Sequence, residues 1–200
     1  LANNLAILGP IIERKGDLPG AEQSYRDALD ILHEAHGDEH PEIGRVMMRL
    51  GRNLGLQDRL DEADATLRAA RDMQQRLLGQ DHSNVGSIAG EIANIAMKRE
   101  QFNVAAEFFA EQLRIFEKRL PPAHPRATLA QIRLGSALIQ VKNFADAEAA
   151  LKTAYEAAKP TPTTSVAGTN LLDAARAALI ELYTITDRGE LAAAIRAEKP

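Results

Sequence analysis

The sequence predicts an all-α fold, an α-solenoid of antiparallel helix pairs with four full repeats and a C-terminal capping helix pair. Three observations carry this. Alanine and leucine dominate the 200 residues, with Glu, Arg, Asp and Gln between them, a composition that favours helix over strand. Apolar and small residues recur at helical spacing, as at Met47, Leu50, Gly51 and Leu54. The pattern then returns every 42 residues: His40, His82 and His124 keep that step, and so do Tyr25, Leu67, Phe109 and Leu151. Leu18, Leu60, Phe102 and Phe144 share it, as do Ala21, Ala63, Ala105 and Ala147. Agreement at many positions in one register marks an array in which each unit shelters its neighbour's apolar face.

Each unit reads as two helices. The first carries an apolar residue beside a small one: Leu8 and Gly9, Leu50 and Gly51, Ile92 and Ala93, Leu134 and Gly135. In the second unit this helix is expected from Arg45 to Gln57, and a turn at Gln57-Asp58-Arg59 ends it. The next helix sets Leu60, Ala63, Leu67, Ala70 and Met73 on one stripe. Small residues let the two backbones approach, so a larger side chain at Ala63 or Ala105 costs about 1–3 kcal/mol. The units run approximately over 1–43, 44–85, 86–127 and 128–160. Within the first, Pro10 removes a helix hydrogen bond and predicts a kink near Ala6 or a helix that starts later.

After the fourth unit the segment KPTPTTSVAGTN, residues 159–170, replaces the usual junction with a Pro- and Thr-rich loop. A cap is expected over about 168–198: one amphipathic helix to about Ile185 and a short one from about Glu190. Because Leu1 already reads as helical, the sequence is expected to be a fragment of a longer protein whose preceding part covers the first apolar face.

A net charge of −4 does not ask for nucleic acid or an anionic membrane as partner. Zero cysteines exclude a disulfide framework, thiolate metal sites and thiol catalysis, and fit a cytoplasmic setting. No apolar run is long enough to span a bilayer.

The segment HEAHGDEHPE, residues 33–42, offers metal-ligand types in His33, His36, His40 and Asp38. The 42-residue step argues against that reading. His82 and His124 occupy the place of His40 without companions like His33 and His36, so a role at the junction between units explains all three and a metal explains one. Pro41 and Pro125 follow two of these histidines, where a first-turn proline is tolerated. Asp61, Glu62 and Asp64 read as helix starters that complement the helix dipole rather than as an acid–base pair. Neither a Gly-x-Ser-x-Gly elbow nor a phosphate-cradling glycine loop is present, and no cofactor or catalytic activity is expected. Phe102, Phe108, Phe109 and Phe116 read as core.

The stretch LGRNLGLQDRLDEADATLRAA, residues 50–70, resembles the tetratricopeptide repeat in its Leu-Gly, turn, Ala, bulky and Ala positions. The longer unit, with junctions HGDEHP, LGQDHS and LPPAHP, resembles the kinesin light chain variety found widely in bacterial multidomain proteins. Leu182-Tyr183, Ala192-Ala193 and Arg196 resemble the closing segment of such arrays, with Asp187 in place of the usual glycine. The resemblance implies a right-handed superhelix whose concave surface is lined by the first helix of each pair. The groove residues are then Arg14 from the first unit, Arg45, Arg49 and Arg52 from the second, Glu91, Asn94 and Lys98 from the third, and Arg133, Ser136 and Gln140 from the fourth.

Arg45, Arg49 and Arg52 share one helix face and suit the carboxylates of an acidic peptide or protein partner, because the guanidinium fork holds a carboxylate bidentately. The competing reading is a solvated face, or pairing with Glu13 and Glu91. The function expected is a non-catalytic protein–protein interaction scaffold. The alternatives are a docking or regulatory region of a larger bacterial signalling protein, such as a serine/threonine kinase, and a sensor for a signalling peptide. Met48, Ile132 and Ile139 are expected as exposed apolar positions on the concave side.

Overall fold

A computed structural model describes residues 2–160, 164–166 and 169–198, with side chains from residue 7 onward except that of residue 169. Residues 167 and 168, where the cap is expected to begin, lie outside the described residues, as do Leu1 and 161–163. Two compact units divide the chain, Leu1–Arg99 and Glu100–Pro200. Among the described residues the first holds α1 (Ala2–Arg14), α2 (Leu18–His36), α3 (Pro41–Leu56), α4 (Leu60–Leu78) and α5 (Ser83–Lys98). The second holds α6 (Phe102–Arg119), α7 (Pro125–Gln140), α8 (Phe144–Ala158), α9 (Leu171–Ile185) and α10 (Gly189–Ala197). Two short strands, β1 (Ser165–Val166) and β2 (Thr169–Asn170), pair antiparallel between α8 and α9. Within each unit every helix packs on the next in sequence, and α9 also packs on α7.

The junction histidines have a definite task. His40, His82 and His124 are the N-caps of α3, α5 and α7, each in extended backbone. Their Nδ1 atoms accept the backbone N–H of Glu42, Asn84 and Arg126 at 3.2, 3.1 and 3.1 Å. Imidazole thereby takes the place of the usual Ser or Asp oxygen and satisfies one orphan donor of the first turn. Because His40 caps at Pro41, α3 begins four residues before the expected Arg45. Pro10 does not delay α1, which runs through it from Ala2.

The first helix of each pair ends in left-handed backbone. Gly16, Asp58, Glu100 and Lys142 have φ of 86°, 64°, 58° and 60°, one per 42-residue step, and Asp187 after α9 has 56°. The N–H of Arg59 bonds the carbonyl of Leu54 at 3.0 Å, and that of Asn143 bonds Leu138 at 3.0 Å. These six-to-one bonds tie up carbonyls the helix leaves unpaired. Only glycine adopts this conformation without Cβ strain, and three of the four steps lack it. Lys142→Gly is therefore expected to raise unfolding free energy by about 0.5–1 kcal/mol, the left-handed strain removed less glycine's entropic cost. Urea denaturation measures it, and a lower stability would refute the reading.

Packing follows the small-against-bulky pattern. A Cβ on Gly51 would meet Leu67 Cγ at 2.6 Å, and one on Gly135 would meet Leu151 Cγ at 2.5 Å. Buried Gln74 on α4 donates to the Pro41 carbonyl at 2.6 Å and accepts from Asn84 at 3.1 Å, which fastens the starts of α3 and α5. In the second unit Leu129, Leu151, Tyr155, Leu172, Leu179 and Leu182 form a core closed by Ala192 of α10. Ile132 and Ile139 belong to that core at 5% and 4% exposure, which overturns their expected exposure. Both lie on α7, which packs on α8 and α9, and they join residues of those helices in one buried cluster. Phe109 and Phe116 are buried, while Phe102 and Phe108 are half-buried.

Candidate partner-binding site

In the first unit, α3 presents Arg45, Met48, Arg49 and Arg52 along one face. The four do not act alike. Arg45 turns back to an ion pair with Glu42 on its own helix. Arg52 reaches α1, its guanidinium 3.4 Å from Glu13 Oε2. Glu13 Oε1 accepts the Tyr25 hydroxyl of α2 at 3.2 Å and the Asn53 amide at 3.2 Å. The Glu13 side chain is 7% exposed and Asn53 is fully buried, so the carboxylate sits in a walled recess with two neutral donors. Burial, then the charge and hydrogen bond of Glu13, push the Tyr25 phenol well above its ordinary value, while Arg49 and Arg52 pull the other way.

A cavity of about 270 Å³ opens here, with apolar walls from Pro10, Tyr25 and Met48. Glu13, Glu91, Arg49 and Arg52 complete the lining, two charges of each sign drawn from α1, α3 and α5. Of the residues expected from sequence, the structure thus brings together Arg49, Arg52 and Glu91. Asn94 stands beside them and donates to Glu91 at 3.1 Å. Arg14 is exposed at the end of α1, its Nε 3.4 Å from the Pro10 carbonyl. Lys98 binds the Gly55 carbonyl at 2.5 Å and lies 3.8 Å from Asp58, where it serves the C-terminus of α3. In the second unit Arg133 and Ser136 are half-buried on α7, and Gln140 is exposed at its end. Gln140 helps line a separate hollow of about 360 Å³ with Phe102 and Val141.

The expected pairing of the arginines with Glu13 holds for Arg52. What sequence reasoning missed is that Glu13, Tyr25 and Asn53 form one network. A signal for it exists in the repeat step. Glu13 stands where later units have Gly55, Met97 and Ile139; Tyr25 stands where they have Leu67, Phe109 and Leu151. Asn53 stands where others have Ile11, Ile95 and Ala137. Three polar departures from the pattern meet at one point.

The histidine-rich segment is placed differently. His36 stacks on His40 with ring centroids 4.1 Å apart, and His33 Nδ1 lies 3.1 Å from Asp38. Among the described residues no three His, Cys, Asp or Glu side chains are grouped to hold a metal ion. No helix among them is long and apolar enough to cross a membrane.

Comparison with known proteins bears on this arrangement. The tetratricopeptide repeat family model matches residues 2–76. Human tetratricopeptide repeat protein 19, mitochondrial, is 28% identical over 115 residues, 56% of this chain and 30% of that protein. The chain therefore spans about a third of the length of the curated relatives it matches. A kinesin light chain protein of Podosopora anserina with nearly identical TPR-like repeats has the same fold, with a TM-score of 0.80 at 18% identity over 96% of this chain and 90% of that one. BtubC (BKLC) from P. vanneervenii gives 0.79 at 18% identity, over 100% of this chain and 83% of that one.

Proposed function

We propose that the chain, whose residues 2–76 match the tetratricopeptide repeat family model and whose fold is that of kinesin light chain TPR-like repeats, is a non-catalytic scaffold that holds a segment of a partner protein. The observation that carries the proposal is the cavity in the first unit, where Arg49 and Arg52 stand beside apolar walls. Such a recess accepts one partner side chain with an acidic neighbour, the guanidinium groups supplying charge-assisted hydrogen bonds. On this reading Glu91 and Asn94 contact the partner's backbone. Within the second compact unit Arg133 and Ser136, the 42-step equivalents of Arg49 and Arg52, offer α7 for contact together with Gln140, while Arg14, Arg45 and Lys98 serve at the margins of the first. Four repeats and a cap make up the proposed scaffold, which works in a cytoplasmic setting.

The test is a fluorescence anisotropy titration at low salt with a labelled glutamate-rich peptide that carries one leucine among its glutamates, and a lysine-rich peptide as control. Arg49→Ala with Arg52→Ala is expected to abolish binding of the acidic peptide. The melting temperature should hardly move, because Arg52 is 56% exposed and Glu13 keeps its Tyr25 and Asn53 donors, so loss of the 3.4 Å pair costs about 0–1 kcal/mol. Equal affinity of the double variant and the parent protein would end the proposal.

A further inference from the structure

Repeat arrays let each position be compared with its own equivalents, and the first two repeats depart from the pattern where they meet. Glu13, Tyr25 and Asn53 replace residues that are apolar or small at every other step. The later pairs assemble with Gly55, Met97 and Ile139 at the Glu13 position, so the helix-pair scaffold does not need a carboxylate there. Burying a carboxylate is unfavourable unless donors surround it. Here donors do: the Tyr25 hydroxyl and the Asn53 amide both bond Oε1 at 3.2 Å.

The bonding is lopsided. Two neutral donors from well-buried residues fix Oε1, while Oε2 faces the guanidinium of Arg52 at 3.4 Å. That is long for a charge-assisted bond, which closes to about 2.7–2.9 Å when optimised. Arg52 itself is 56% exposed, against 7% for Glu13. The anion is anchored and the cation is loosely held, with room to swing into the cavity. Arg49 and Glu91 line the same cavity, so the four charges balance when nothing is bound.

We infer that Glu13 is a built-in counter-charge that sets the specificity of the cavity, so that an acidic partner segment binds by taking Arg52 from it. This rests on the partner-binding reading above and adds the selection rule. An isolated carboxylate gains little by exchanging places with Glu13, because Arg52 has one carboxylate before and one after. A segment that also buries an apolar side chain against Pro10, Tyr25 and Met48 gains the surface it removes from water. The cavity thereby rejects simple polyanions and accepts acidic segments with an adjoining apolar residue.

Glu13→Gln tests this, since the amide keeps an acceptor for Tyr25 and Asn53 and removes the charge. Anisotropy titration with the glutamate-rich peptide is expected to show about tenfold tighter binding to Glu13→Gln than to the parent, a change of about 1.4 kcal/mol. The gain should vanish when Arg52→Ala is added, which a merely structural role for Glu13 would not produce. Glu13→Met, the residue of the third unit at this step, should give the same gain and serves if the glutamine variant folds poorly, as judged by circular dichroism. Unchanged or weaker binding by both variants, while the Arg49/Arg52 double variant has lost binding, overturns the inference and leaves the scaffold reading standing. Binding that the double variant retains overturns the scaffold reading itself.

Discussion

Leu67→Ala is expected to lower unfolding free energy by about 2–5 kcal/mol, the range for removing a fully buried leucine side chain. Leu67 is 0% exposed and lies over Gly51, so its loss opens a cavity between α3 and α4. The informative experiment is the cycle with Gly51→Ala. Alone, that substitution places a Cβ 2.6 Å from Leu67 Cγ and 3.3 Å from the Ala63 carbonyl, and overpacking costs about 1–3 kcal/mol despite alanine's better helix propensity. Together the two changes relieve each other: the new methyl partly fills the space leucine left. Chemical denaturation of the four proteins should show the double variant less destabilised than the sum of the singles. Additivity would mean that the two residues do not share a packing site.

The second large effect is a pH dependence centred on Glu148 of α8. Lys152 hydrogen-bonds its carboxylate at 2.7 Å, and Arg188 at the start of α10 does so at 2.6 Å. The Lys152 hydrogen bond, against partial burial and together with the hydrogen bond and charge of Arg188, holds the carboxyl down to about 2. Its folded value lies below the ordinary glutamate value, so the unfolded chain takes up the proton first as pH falls. The stabilisation is fully present above about pH 4.5 and is lost as pH drops towards 2. With the side chain 20% exposed, this amounts to about 2–3 kcal/mol. Glu148→Gln should be less stable than the parent at pH 6 and converge on it near pH 2, read from urea midpoints at each pH. A constant difference across that range would exclude the ion pair as its source.

The placement of Glu148 separates two kinds of information in the chain. The helices were legible in sequence because their signal is local and repeated: one apolar stripe, one small residue and one junction histidine per 42 residues. Even Asp187 could be read in advance as standing at a glycine position, and its backbone is left-handed there. That Arg45, Arg49 and Arg52 share one face of α3 was legible for the same reason, since i, i+4 and i+7 define one helix face.

By itself, then, the sequence determined the helix pairs, their order and which stripe of each is buried, because periodicity and side-chain size specify these over one or two turns. Tertiary structure alone decided which charges meet. Nothing in local spacing joins Glu13 to Asn53 or Glu148 to Arg188, which are 40 residues apart in each case. It also decided that Ile132 and Ile139 are core and that imidazole nitrogens cap three helices. The physical reason is that a hydrogen bond or a buried contact depends on distance in space, and the packing of one helix pair on the next sets that distance.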